Sequence, residues 1–323
     1  MKVIIVISIL ILAFLKMDAQ THAEEHYEYD RLHKTMKGYY NRGLYHKAVL
    51  YPDSLKGNKY VDATSYYFFA RIYSLSNEFD KTLFNLEKAV KGGVTKTQIE
   101  QMYDLDGFRE SNFHIIYETN YDKWHKEYLV SEGDLKLDST YLNRLNIIAN
   151  QYDELGKELW IKIVNDSVIY SADSTGRYGA RIKEDSLFYL MTTLIVENGF
   201  PTKKRIGKMF YKFSRNLQYQ IPDEYDIENE NWITIKAMIF TEIEKGTIYP
   251  FYYAAIEDYM QRRLKKPQLY GTITSRYNGI SGKSVQFENP EELNVRRRSV
   301  GLCSIQLEMW SEARELPESL KEV

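Results

Sequence analysis

Two stretches of this chain, "MKGYYNRGLYHKAV" from Met36 and "ARIYSLSNEFDKTL" from Ala70, align at a constant offset of 34 residues. Met36 matches Ala70, Tyr39 matches Tyr73, Gly43 matches Asn77, Tyr45 matches Phe79 and Ala48 matches Thr82. No other feature restricts the fold as much. A period of roughly 20–50 residues is the mark of stacked supersecondary units that bury their apolar faces only against neighbours. In the second unit Leu83, Leu86, Ala89 and Val90 share one helical face. Pro52 and Gly57 interrupt the second helix of the first unit, which must end early or bend. Two such units bury too little surface to stand alone. The following helices, "TKTQIEQMYDL" and "YETNYDKWHKEYL" around the turn "DLDGF", are therefore expected to cap them.

The spacing, and the small, aromatic and small positions within it, resemble a degenerate tetratricopeptide repeat, which implies a helical-repeat region over 24–130 and a groove for a protein or peptide. Tyrosine is plentiful, at 28 residues, and suits helix–helix packing, where the ring is buried and the hydroxyl still finds a partner. A net charge of −2 gives no reason to expect nucleic acid or an anionic membrane as the main partner.

Lys2 precedes an apolar run from Val3 to Leu15, then Lys16 and Ala19. This is the charge, apolar core and small residue of a secretory signal peptide over 1–19. The run of 13 residues rises about 20 Å as a helix, short of the roughly 30 Å of a bilayer core. The expectation is export, to the periplasm or the medium, with no stable membrane span after cleavage. Cys303 is the only cysteine, so no internal disulfide forms, and its apolar neighbours in "VGLCSI" read as packing.

Beyond a polar connector at 131–140, "YLNRLNIIANQYDELGKELW" places Leu142, Leu145, Ile148, Ala149 and Tyr152 on one face. "NDSVIYSADSTGRYG" reads as loop. Further helices follow in "KEDSLFYLMTTLIVENGFP", closed by Gly199 and Pro201, then in "KKRIGKMFYKFSRNLQYQI", "WITIKAMIFTEIEKG" and "PFYYAAIEDYMQRRLKK". "KKPQLYGTITSRYNGISGKSVQF" changes period: Leu269, Gly271 and Ile273 alternate with polar residues, and Val285 and Phe287 follow a Gly-rich turn. That pattern predicts one small β-hairpin on a helical domain spanning 141–312, with a tail at 313–323. The fold class is mostly α.

Four ordered features of this second half resemble an uncharacterised bacterial family known only as a domain of unknown function. They are Asn150-Gln151, "NGFP" at 198–201, "QLYGT" at 268–272 and "NVRRRSVGL" at 294–302. The resemblance implies a mostly helical domain and no established activity. Where the family pattern carries Gln-His, this chain has Gln218-Tyr219; where it tends toward acids, Asn150 and Asn294 stand; and Ile273 replaces a second Gln. The polar positions left for a ligand are Gln218, Asp258, Gln268, Tyr270, Gly271, Thr272, Arg296 and Arg297, expected to converge on one open pocket. Forked cations at Arg296 and Arg297 suit a carboxylate or phosphate.

The inventory leans away from catalysis. All six histidines (His22, His26, His33, His46, His114, His125) precede the connector. The second half therefore holds neither a histidine-based nucleophile device nor a His-containing zinc site, and no nucleotide fingerprint appears. His22, His26 and His33 are expected at the surface. No metal or cofactor is implied. Carboxylates remain: Asp258, with Glu257 or the Asp153-Glu154 pair, is the one catalytic candidate, in a hydrolase of cell-wall or glycan material. The leading expectation is an exported binding protein, the repeat region taking a protein or peptide and the second half a small polar ligand. A structural relative without a ligand is the third reading.

Overall fold

The computed structural model describes residues 2–133, 137–164, 167–170, 174–207, 209–273 and 286–314, with side chains described outside 2–21 and 156–178. About 73% is helical, so the mostly α class is what forms. Contacts divide the chain into two compact units: Met1–Asp134 with Asn294–Lys321, and Leu135–Leu293 with Glu322–Val323. No helix among the described residues is long and apolar enough to cross a membrane.

The first unit opens with α1 (Lys2–Asn41), followed by α2 (Tyr45–Ala48), α3 (Pro52–Leu55), α4 (Ala63–Leu75) and α5 (Phe79–Lys91). The offset of 34 is visible in the backbone. Gly43 and Asn77 both take left-handed φ values, +69° and +57°. The turn bond from Leu44 N to Tyr39 O, 3.0 Å, recurs from Glu78 N to Tyr73 O at 2.9 Å. Met36 and Ala70 are fully buried, as are Ala48 and Thr82. The two units diverge where proline dictates. Pro52 lacks an N–H to continue α2 and instead sits in the first turn of the separate helix α3.

Asp62 caps α4 by accepting from Ser65 N at 2.8 Å. Then α6 (Lys96–Glu100) starts with a capping box between Thr95 and Gln98. After α7 (Asp106–Arg109), the long α8 (Asn112–Gly133) lays Tyr117, Tyr121 and Trp124 on Leu86, Ala89, Val90 and Phe108. Tyrosine here packs, as its abundance suggested.

The second unit starts with α9 (Ser139–Leu159) and an antiparallel ribbon, β1 (Trp160–Val164) with β2 (Ser167–Tyr170), Ile163 opposite Val168. It continues with α10 (Ser174–Asn198), α11 (Lys203–Ile206), α12 (Met209–Tyr219), α13 (Glu230–Glu244) and α14 (Pro250–Arg263). Its core holds Tyr141, Leu145, Ile148, Phe188, Ile195, Phe213, Trp232 and Tyr253. On α9 the expected face is buried except for Leu142, which is half-buried while its neighbour Tyr141 is covered.

The ribbon therefore lies in a stretch expected to be loop. Of the hairpin expected at Leu269–Phe287, 274–285 lie outside the described residues. Its described ends form a single parallel bridge between Gln268 and Phe287, a sense that a simple hairpin does not make.

The chain then forms α15 (Leu293–Ser299) and α16 (Ile305–Ser311), and this segment packs on α1 rather than with 141–293, which departs from the expected extent 141–312. Gly38 makes the approach possible: a Cβ there would lie 1.9 Å from the Trp310 ring. Asn41 Nδ2 donates to Ser311 O at 2.7 Å and Cys303 N donates to Asp30 Oδ2 at 2.8 Å.

Candidate functional site

Asp258, on α14, is wholly buried. Its Oδ1 accepts from Leu269 N (2.7 Å) and Tyr270 N (2.9 Å), and its Oδ2 from Thr272 N and Thr272 Oγ1 (both 2.7 Å). One carboxylate thus folds "QLYGT" around itself. The N–H groups of Leu269, Tyr270 and Thr272 are thus donated to this carboxylate rather than to a neighbouring strand. Gly271, at φ +68°, supplies the left-handed bend between the captured residues. Burial pushes the Asp258 carboxyl above its ordinary range, and the four donors offset part of that rise.

Gln268 and Tyr270, two of its expected companions, are similarly occupied. Gln268 is buried, and its side chain donates to Ile273 O (2.9 Å) and accepts from Ile273 N (3.0 Å). Tyr270 is 8% exposed, and its hydroxyl lies 3.4 Å from Glu257 Oε2 and 3.3 Å from the Tyr253 hydroxyl. Glu257 in turn accepts from Trp232 Nε1 (3.2 Å) and Lys236 Nζ (2.9 Å). Gln218 is half-buried on α12.

Arg296 and Arg297 belong to the first unit. The fully buried Arg297 guanidinium donates through Nε to Cys303 O at 2.6 Å and pairs with Glu308, which also meets Lys34 at 3.4 Å. Arg297 is a structural cation that ties α15 to α16. The expectation of one open pocket uniting these groups is corrected by that geometry: Asp258, Gln268, Tyr270 and Gly271 are sealed in the second unit, and Arg297 in the first. A catalytic acid must reach the proton it moves, and both oxygens of the buried Asp258 are already filled by these four donors. Asp153 pairs with Lys212 at 2.6 Å on a solvated face and brings no second acid to it.

The histidines also depart from expectation. His26 is 2% exposed, 2.5 Å from Gly301 O through Nδ1, and edge-on to Tyr60 at 4.5 Å. His33 stacks on Tyr29 at 5.8 Å, and burial pushes its pKa down to about 4. Both lie where the rest of the first unit covers α1, long-range packing that local sequence does not register. Cys303 is buried, as expected, and burial pushes its thiol up. Among the described residues no group of three or more His, Cys, Asp or Glu side chains is arranged to hold a metal ion.

A concavity lies within the first unit. A cavity of about 250 Å³ opens between α3, α4 and α5. Tyr66, Phe69 and Tyr73 line it from α4 at helical spacing; Asp80, Lys81, Phe84 and Asn85 line it from α5. Pro52, Asp53 and Lys56 complete it. The break at Pro52 creates the space, because a continuous second helix would lie over these faces. Lys81 Nζ sits 5.0 Å from the Tyr73 ring centroid, 2.7 Å from Glu78 and 3.5 Å from Asp53. Lys56 Nζ sits 4.6 Å from the Phe84 ring centroid. Sequence reasoning identified the break but not the hollow it leaves. The available signal was the aromatic spacing at 66, 69 and 73 facing that break.

Scans of family models, curated proteins and solved structures found no match to this chain.

Proposed function

We propose that this is an exported binding protein whose first unit takes a short peptide or protein segment into the cavity between α3, α4 and α5. The observation that carries this reading is the cavity itself: aromatic side chains beneath charged residues, with Phe84 still 39% exposed. Concave apolar sites with a few polar groups are where small ligands and anchoring side chains bind. Export rests on Lys2, the Val3–Leu15 run and Ala19. The expected resemblances to tetratricopeptide repeats and to the uncharacterised family agree with a binding role and supply no activity. The glycan-hydrolase reading has no substrate-facing acid at Asp258.

Peptide-library display against the full mature chain tests this. Enriched peptides should lose binding to Phe84→Ala, a variant that removes a half-exposed ring without emptying the core. Equal binding by Phe84→Ala, with unchanged thermal unfolding, contradicts the assignment of the cavity.

A further inference from the structure

Resting on that reading, we propose that the cavity is selective for a basic side chain, arginine before lysine, held between Asp53, Asp80 and the ring and hydroxyl of Tyr73.

Tyr73 is 1% exposed, and its hydroxyl lies against the Asp53 carboxylate. The carboxylates that bear on it are Asp53, Glu78 and Asp80, and together with burial they keep the phenol protonated. Lys81 is the cation paired with this group, and its closest contact is Glu78 at 2.7 Å rather than Asp53 at 3.5 Å. Asp80 makes no ion pair among the described residues. That end of the cavity therefore presents more negative than positive charge, over aromatic faces. An anionic ligand would meet the lining carboxylates Asp53 and Asp80; a cationic one meets acceptors and π-faces together.

The chain's own lysines show the preference at work. Lys81 lies over Tyr73 and Lys56 over Phe84, both at cation–π distance. They act as internal stand-ins for a ligand cation. The Lys81 side chain is 42% exposed, so it can swing out while keeping Glu78. A guanidinium then gains what an ammonium lacks: a planar fork for a carboxylate and a flat face for stacking.

The test uses the full mature chain and three blocked peptides, Gly-Leu-X-Leu-Gly with X as arginine, glutamate or leucine, measured by titration calorimetry. The arginine peptide should bind most tightly. Replacing both Asp53 and Asp80 by Asn should weaken it roughly tenfold, the combined worth of two partly exposed charge contacts. The decisive variant is Lys81→Met, which removes the internal competitor and should tighten the arginine peptide by about threefold. Weaker arginine binding in Lys81→Met, or preference for the glutamate or leucine peptide, overturns the selectivity while leaving cavity binding intact. If none of the three binds, the cavity reading fails with it. Thermal unfolding of each variant separates lost binding from lost folding.

Discussion

Replacing Glu308 by Gln keeps the shape of its side chain and removes the charge that Arg297 and Lys34 face. Arg297 has no exposure at all, so its guanidinium would be left buried against a neutral amide. Two lines of reasoning give the same size of effect. The two cations hold the Glu308 carboxyl at about 2 instead of its ordinary 4.5, although burial alone would raise it. That depression is worth about 3 kcal/mol of stability at neutral pH. Because the folded value lies below the unfolded one, the contribution is complete above about pH 4.5 and drains away as pH falls toward 2. Independently, removing one partner of a buried ion pair costs about 3–5 kcal/mol. Cys303 offers the assay, since it is the sole cysteine, is buried, and its carbonyl accepts from Arg297. Labelling by a disulfide reagent at pH 7.5 requires this segment to open. Glu308→Gln should accelerate that labelling by roughly 100-fold. An acceleration under fivefold would refute the claim that this ion network fastens the C-terminal segment to α1.

Other expectations follow from the same reasoning. His33 is held neutral to about pH 4, so its contribution is present above the ordinary value near 6.5 and is lost as pH falls between the two, about 2 kcal/mol after allowing for its partial exposure. His33→Gln should flatten the thermal-unfolding curve over that interval. Asp258→Asn keeps one acceptor oxygen but turns an amide NH2 against two of the four donors and should cost about 2–4 kcal/mol, seen as faster hydrogen exchange at Leu269, Tyr270 and Thr272. Gly38→Ala should expel the Trp310 ring from α1, costing about 1–3 kcal/mol and red-shifting its fluorescence.

The parts of the fold legible in sequence are those fixed by local chemistry. The repeat offset appeared because Gly43 and Asn77 need the same left-handed turn and the residues flanking them need the same burial. Helices of the second half announced themselves by apolar spacing, and Pro52 by its missing donor. Long-range events were hidden. Alternation at Leu269–Ile273 resembles a strand until Asp258, 11 residues earlier than Leu269, captures its N–H groups. Nothing in "NVRRRSVGL" reveals that Arg297 will be neutralised by Glu308 beside α1 rather than by a ligand. His26 and His33 read as surface residues because what covers them arrives later in the chain: Gly301 meets His26, and the Phe68 ring meets His33. The hollow in the first unit escaped because it is defined by a helix that fails to form.

Hydrogen–deuterium exchange of the mature chain with and without the arginine-centred peptide puts the whole account to the question at once. Slowed exchange should map to the segments around Pro52–Lys56, Tyr66–Tyr73 and Asp80–Asn85. Slowing confined to the second unit, at Gln268–Ile273 above all, would mean that ligand recognition lies around the buried Asp258 instead.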